Sequence, residues 1–415
     1  MEEEGGMKRR RLVVRLRLPR RAAILPDELM VEIISWLPVK HVMQLRCVNK
    51  FFKNLIFDPH FVEMHLNKSA RNSQQLALTL YRKDNNTSRM ETLSIPRLLR
   101  NKSPIFHHRH DRRLLNDYSH IQRRSYRLQR VVDSCNGLVC LFGVKHPSGR
   151  QWLRFWNPAM RTKSKKFPLF FDYWAIYSFN FSFGYDNSTR TYKVVAFCMK
   201  YDVEPILFLT VLSLGDDDNS CWRDIQCCFP VIPLYWLRNN AKTINNKGAH
   251  LNGTINWIVL RDYNTNSRST IITVNQYVIL SLDLSTEKCT QLLLPQRFDE
   301  KLWHTPKLVV LMGCLCFCHD FEETHFVIWQ MKNFGVQESW IQLFQISYEG
   351  KFFRWVNLWP LYLSENHDTL ILANDEVHEA FIYNHRRNKV HKIGITNDIS
   401  WSEAINYVES LVSTR

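Results

Sequence analysis

No apolar run in this sequence is long enough to cross a membrane as a helix. The longest, residues 308–318, is interrupted by Gly313 and falls short of the ~20 residues that a span requires. A secretory leader is missing from the pattern too, because the first apolar residues (Leu12, Val13, Val14, Leu16 and Leu18) are interleaved with arginines. The 11 cysteines lack the close pairing of a small disulfide scaffold and are expected to be thiols, mostly buried. These absences lead to the expectation of a soluble chain in the cytosol, the nucleus or both.

Catalytic signatures are equally scarce. The sequence has no glycine-rich phosphate loop, no zincin histidine pair and no Gly-x-Ser-x-Gly elbow. Its densest chemical cluster is Cys314, Cys316 and Cys318, followed by His319. Strand alternation would place the three thiols on one face. A second close-spaced ligand pair is lacking, so the cluster reads as core thiols, and neither metal nor cofactor is expected. A Cys–His pair that meets only in the fold stays open at this point. The run His107-His108-Arg109-His110 is not read as a metal site, because adjacent imidazoles do not all converge on one ion.

What the chain does have is an apolar share of 45% with 13% aromatics, ample for the cores of two or three domains in 415 residues. Its net charge of +16 is unevenly placed. Residues 1–130 hold 27 Lys+Arg against 12 Asp+Glu, whereas residues 131–415 hold 28 against 27. The large C-terminal part is therefore not a basic nucleic-acid-binding body. Residues 1–22 read as a basic disordered tail that import machinery could recognise. Residues 67–130 read as a basic connecting region with one short β-like run at residues 76–81.

Residues 23–66 carry the sharpest local signal. Leu25, Leu29, Ile33 and Leu37 recur every four residues, with Met30 and Ile34 beside them, which predicts one amphipathic helix. Pro26 suits its first turn, Asp27 and Glu28 favour its positive end, and Pro38 stops it. Further apolar sets follow at Val42, Leu45 and Val48, and at Phe51, Phe52, Leu55 and Ile56. After Asp58-Pro59, the residues Phe61, Met64 and Leu66 predict one more short turn or helix. Modules of ~40 residues seldom stand alone without a metal, a disulfide or a partner. Part of the apolar face, especially around Leu37, Pro38 and Val39, is therefore expected to be covered by another protein. The alternative is a helical subdomain packed on its own C-terminal domain.

The strings Leu25-Pro26-Asp27-Glu28-Leu29, Ile33-Ile34-Ser35-Trp36-Leu37-Pro38-Val39-Lys40, Leu45-Arg46-Cys47-Val48-Asn49-Lys50 and Leu55-Ile56-Phe57-Asp58-Pro59-His60-Phe61 closely resemble a plant F-box. Two positions depart from that pattern: His41 stands where Ser is usual, and Phe52 where Trp is usual. The resemblance implies docking on the Skp-type adaptor of an SCF (Skp–cullin–F-box) ubiquitin ligase. It carries an adaptor-binding role onto Leu25, Pro26, Leu29, Ile33, Leu37, Pro38, Val39, Leu45 and Cys47.

Residues 131–415 read as β throughout, with short apolar and aromatic runs between Gly, Asn, Asp and Pro turns. Five hairpins emerge by pairing residues 138–142 with 152–156, 192–199 with 206–214, 250–259 with 277–284, 308–318 with 325–331, and 369–373 with 380–384. Markers at Asn157, Ser213, Asp283, Gln330 and Asn384 give gaps of 56, 70, 47 and 54 residues, close to kelch-sized blades. Trp222 and Trp340 then fall where outer strands belong. The expected fold class is α+β multidomain: a small three-helix module, then an all-β propeller of five or six blades. A twisted double sheet is the alternative.

This region also resembles the F-box-associated (type 1) domain. The resemblance rests on Ser134-Cys135-Asn136-Gly137-Leu138-Val139-Cys140, Trp156-Asn157-Pro158-Ala159-Met160-Arg161, and Phe183-Gly184-Tyr185-Asp186 with Tyr192-Lys193-Val194-Val195. It continues at Leu251-Asn252-Gly253-Thr254-Ile255-Asn256-Trp257, Glu338-Ser339-Trp340 and Tyr407-Val408-Glu409-Ser410-Leu411-Val412. Together the two resemblances imply a non-catalytic substrate-recognition subunit that holds an unidentified protein target. Two rivals are carried beside it. One is a propeller that binds a small ligand or glycan, or acts as an enzyme, with a helical segment that only packs. The other is a basic nucleic-acid-binding regulator using residues 7–21 and 89–130.

Overall fold

The structure is a computed structural model that describes residues 25–72, 75–82, 87–100, 129–145, 150–169, 179–200, 206–215, 222–225, 229–234, 247–261, 274–295, 304–349, 358–374, 379–393 and 399–414. The basic tail at residues 7–21 and the histidine run at residues 107–110 lie outside them. Four helices open the described chain: α1 (Asp27–Ile34), α2 (Val39–Leu45), α3 (Lys50–Leu55) and α4 (Pro59–Asn72). Pro26 sits one place before α1 as its N-cap residue, with Asp27 and Glu28 in the first turn. Asn49 caps α3 by accepting from Phe52 N at 2.9 Å, and Asp58 caps α4 by accepting from Phe61 N at 3.0 Å. The last helix is longer than the short turn expected after Asp58-Pro59, running 14 residues and past position 66.

The β strands form six antiparallel sheets, set round a ring as propeller blades. Blade 1 joins the two ends of the domain. Its inner strand, Ile399–Tyr407, pairs with Gln75–Arg82, which pairs in turn with Thr87–Ser94. Blade 2 holds Gln129–Cys135, Leu138–Lys145 and Arg150–Asn157, with an outer strand in two pieces, Thr162–Lys163 and Phe167–Pro168. Blade 3 runs Phe179–Asp186, Thr191–Lys200, Ile206–Leu214 and Trp222–Ile225. Blade 4 holds Ala249–Leu251, Thr254–Arg261, Tyr277–Asp283 and Cys289–Leu292, with Val231–Pro233 added beside Thr254–Arg261. Blade 5 is Lys307–Leu311, Cys314–Phe321, His325–Met331 and Trp340–Ser347. Blade 6 is Leu358–Leu363, Thr369–Asn374, Glu379–Asn384 and Lys389–Lys392. Successive inner strands touch, and Ile399–Tyr407 closes the ring between blades 6 and 2.

Each blade boundary is a seam of apolar side chains from both neighbours, and these seams are the domain's core. Strand alternation explains this, since successive residues face the two neighbouring blades in turn. Cys316 and Cys318 face the blade 5/6 seam, while Leu315 and Phe317 between them face the blade 4/5 seam.

Six blades settle the count that the sequence left at five or six, and they exclude the double sheet. The five expected hairpins are the middle strands of blades 2 to 6. Residues 308–318 and 250–259 are not single strands, because they fold back at Met312-Gly313, where φ is +52° and +70°, and at Asn252-Gly253. The blade beyond those five, blade 1, draws two strands from the span read as a basic connecting region, and α5 (Ile95–Arg100) adds Ile95 and Leu98 to the seam between blades 1 and 6. Trp222 and Trp340 both lie on outermost strands, as expected. Asn136-Gly137 and Asn252-Gly253 make their tight turns with φ of +50° and +79°, and +49° and +79°.

Candidate adaptor-docking surface

The helical module buries one side of itself and leaves the other bare. Ile34, Val39, Val42, Ile56 and Phe61 form its core, with Met30, Val31, Leu37, Leu45, Phe52 and Leu55 packed around them. On α1 the four-residue period splits in two. Ile34 turns inward, whereas Leu25, Leu29 and Ile33 line the opposite face at 47%, 51% and 53% exposure. Trp36 continues that strip at the helix end. Its indole donates to Glu32 Oε1 at 3.2 Å, and the Lys68 ammonium lies 4.8 Å above its ring. Lys68 also pairs with Glu32 and donates to Ser35 Oγ at 2.7 Å, so α4 holds the tryptophan in place.

The corner that follows α1 is fixed from below. His65, fully buried on α4, donates from Nε2 to Leu37 O at 2.9 Å and lies 3.3 Å from Ser69 Oγ through Nδ1. Leu37 O can only accept, so the Nε2 tautomer is the one that satisfies it. Burial lowers the pKa of His65 and keeps the ring neutral.

The nine residues singled out from the sequence divide accordingly. Leu25, Pro26, Leu29, Ile33, Pro38 and Cys47 are exposed, and Leu37 and Leu45 are half-buried. Val39 is a correction: it is fully buried in the module's own core and has no surface to offer a partner. Val48, Phe51 and Phe57 are exposed large apolar side chains, although Val48 and Phe51 fit a core period in the sequence. A short helix followed by a turn breaks that period, which is why it misassigned them.

The module is completed by the far end of the chain. Leu411 is buried within the helical core, and Ala159 and Met160 of blade 2 pack against the same cluster. Residues 408–414 thus form a strap between propeller and helices. Asn157, fully buried, donates to Ser410 O at 3.0 Å and to Val412 O at 2.8 Å, and its Oδ1 accepts from Met160 N at 3.0 Å. Tyr407 Oη accepts from Ala159 N at 3.2 Å, and Gln75 donates to Glu409 at 3.0 Å. Gly137 passes so close that a Cβ there would collide with Ser410. Three sequence motifs, around Asn136-Gly137, Asn157-Pro158 and Ser410-Leu411, therefore meet at one junction.

The motif pair Phe183-Gly184-Tyr185-Asp186 and Tyr192-Lys193-Val194-Val195 is accounted for in the blade 3/4 seam. Lys193, buried, donates to Leu284 O and pairs with Asp186 at 3.1 Å and Glu287 at 3.2 Å. Arg223 reaches Glu287 from outside at 2.7 Å. Burial alone would raise the Asp186 pKa, but hydrogen bonds from Thr189, Ser188 and Lys193 outweigh it and hold the carboxyl well below its usual range.

Chemistry at the cysteine cluster is opposed by its surroundings. Burial pushes the Cys316 thiol up to about 12 and Cys318 well above its usual value, far from the thiolate that nucleophilic attack requires. His319 faces away from both thiols, stacked on Phe317 at 5.5 Å. Among the described residues, no three His, Cys, Asp or Glu side chains gather as a metal site. Nor is any described helix long and apolar enough to cross a membrane.

Residues 23–63 match the F-box domain, and residues 81–414 match the F-box associated beta propeller domain. Similar proteins come from Arabidopsis thaliana. The F-box/kelch-repeat protein At3g23880 is 28% identical over 405 residues, covering 94% of this chain and 95% of its own length. The F-box protein CPR1 is 23% identical over 336 residues, covering 78% and 73%. The first match holds α1 to α3 and the start of α4, and the second holds the strap and all of the ring except most of the strand Gln75–Arg82, so this chain belongs to the F-box proteins that carry an F-box-associated β-propeller.

Proposed function

We propose that the chain is the substrate-recognition subunit of an SCF-type ubiquitin ligase, docking on a Skp-type adaptor and holding a protein target on its propeller. One observation carries the reading: Leu25 just before α1, and Leu29 and Ile33 on it, are aligned and half exposed, while Ile34, Met30 and Val31 turn into the module's core. Covering a half-exposed Leu or Ile recovers about 1 kcal/mol each, so such a strip is costly unless a partner completes it. Exposed Pro38 extends the strip round the corner into α2, which the hydrogen bond from His65 to Leu37 O holds in place.

The chain contributes proximity and no bond-making group of its own. A target held on the propeller is kept close to a ubiquitin-charged enzyme elsewhere in the assembly, which raises its effective concentration. The strap serves that role by fixing the angle between helices and propeller, so that target position follows adaptor position. On this reading the work is done in the cytosol or nucleus. The test is capture of a plant Skp-type adaptor by the full chain, beside Leu25→Ala/Pro26→Ala. Capture should fall sharply in the variant, and unaltered capture would contradict the reading.

A further inference from the structure

The charge of the propeller is not evenly spread over its blades. Residues 134–171 contain no Asp or Glu and seven Lys or Arg, whereas residues 172–415 hold 21 Lys+Arg against 26 Asp+Glu. The basic stretch is blade 2 beyond its first strand, and Arg150, Arg161, Lys163, Lys165 and Lys166 are all exposed on it. Its outer strand is broken at Ser164, whose N–H donates to Phe155 O at 2.8 Å and whose Oγ accepts from Phe155 N at 2.9 Å. Arg154 Nε donates to Ser164 O at 2.9 Å and fixes the break. Lys163 lies 5.8 Å over Trp156, Lys165 lies 5.8 Å over Phe167, and Lys166 lies 4.3 Å over Trp152. Three ammonium groups are thus steadied by rings along one sheet edge.

We propose that this outer edge of blade 2 is a docking surface for an acidic protein segment in extended conformation. The run from residue 161 to 168 is roughly 25 Å long, a narrow strip that suits a single extended peptide. Single-stranded nucleic acid would need open aromatic faces for base stacking, and here the lysines already cover those rings. Burial lowers the pKa of Lys163, and the nearby charge of Arg154, which adds to the positive field of this edge, lowers it further. The edge begins next to Ala159 and Met160, which touch the helical core, so a bound segment lies beside the adaptor-docking module. The inference rests on the reading of the propeller as the part that holds a target, and it names that target's chemistry.

The test is fluorescence anisotropy on the full chain with a labelled Glu/Ser peptide and, in parallel, a labelled oligo-dT. The peptide should bind with an affinity that falls as salt rises, because exposed pairs are screened. Lys163→Glu/Lys165→Glu/Lys166→Glu should weaken it by about tenfold or more, the sum of three exposed ion pairs reversed. The triple Lys→Gln variant, which avoids new repulsion in the fold, should show a smaller loss at an unchanged melting temperature. Neutralising Arg9, Arg10 and Arg11 in the tail should leave peptide binding as it was.

The proposal is overturned if the wild-type chain does not bind the peptide, or if the lysine variants bind it normally. It is also overturned if the loss follows the tail variant, or if oligo-dT binds more tightly through the same lysines. Adaptor capture on the same preparations separates the two readings. Failure of capture sinks the ligase role without touching the peptide result, and failure of peptide binding with normal capture sinks this proposal alone.

Discussion

In the propeller, large side chains such as Trp257, Phe317 and Phe381 are almost wholly enclosed between blades, whereas in the F-box Leu25 stands about half exposed just before an eight-residue helix and Leu29 and Ile33 about half exposed on it. Seven of the 12 large apolar side chains exposed among the described residues fall within residues 25–57. The contrast follows from geometry. A closed ring gives every sheet two neighbours, so both of its faces are covered from within the chain. Four helices, three of them of eight residues or fewer, have too little interior for that, and they are finished from two directions. The strap at residues 408–414 supplies Leu411 to one side, and on the proposed reading a second protein covers the other. The exposed strip is therefore a feature of the module's size as well as its sequence.

The sharpest way to break the comparison is to damage the propeller where it depends on charge. Lys193→Met leaves Asp186 buried without its cation, and an uncompensated buried charge costs about 3–5 kcal/mol. Urea unfolding should show that loss, with the seam between blades 3 and 4 gaining hydrogen exchange first. Leu411→Ala comes next, at roughly 2–4 kcal/mol from lost packing and the cavity left behind. Its loss should appear in exchange over residues 27–72 more than in the blades. Equal exchange in both would mean that the strap does not complete the helical core.

Acid tests the propeller from another side. Burial lowers the pKa of His319 to about 4 from an unfolded 6.5, and those of His65 and His250 fall for the same reason. The unfolded chain therefore binds more protons than the folded one in this window. The stability from neutral His319 is present above pH 6.5 and is lost as pH falls from there towards 4. Asp133, which burial raises to about 6, works in the opposite sense and gains as it protonates below that pH. His319→Gln should flatten the acid limb of a stability profile by about 2 kcal/mol between pH 7.5 and 5. An unchanged limb would show that His319 does not govern it.

Much of this design was legible in the sequence, and the illegible parts share a cause. The middle hairpins of five blades could be read because each pairs two apolar runs that are neighbours in the sequence. Blade 1 could not be assembled, because the strand at residues 75–82 pairs with one more than 300 positions away. The junction motifs were visible as strings, yet nothing in periodicity says that Asn157 reaches the carbonyls of residues 410 and 412. Val42 and Val48 show the same limit. Both are apolar and fit a helical rhythm, but one is fully buried and the other 65% exposed, since rhythm identifies an apolar face without saying what covers it.

The smallest expected effect on stability belongs to the most informative substitution. Leu29→Ala/Ile33→Ala removes two side chains that already face outward, so the melting temperature should move by less than ~0.5 kcal/mol would produce. Titration calorimetry of a Skp-type adaptor into this variant and into Leu411→Ala tests the central claim most directly. The account predicts that Leu29→Ala/Ile33→Ala loses adaptor affinity by roughly tenfold or more while staying as stable as wild type. Adaptor binding of wild-type strength by that variant, in a protein that is equally well folded, would contradict it.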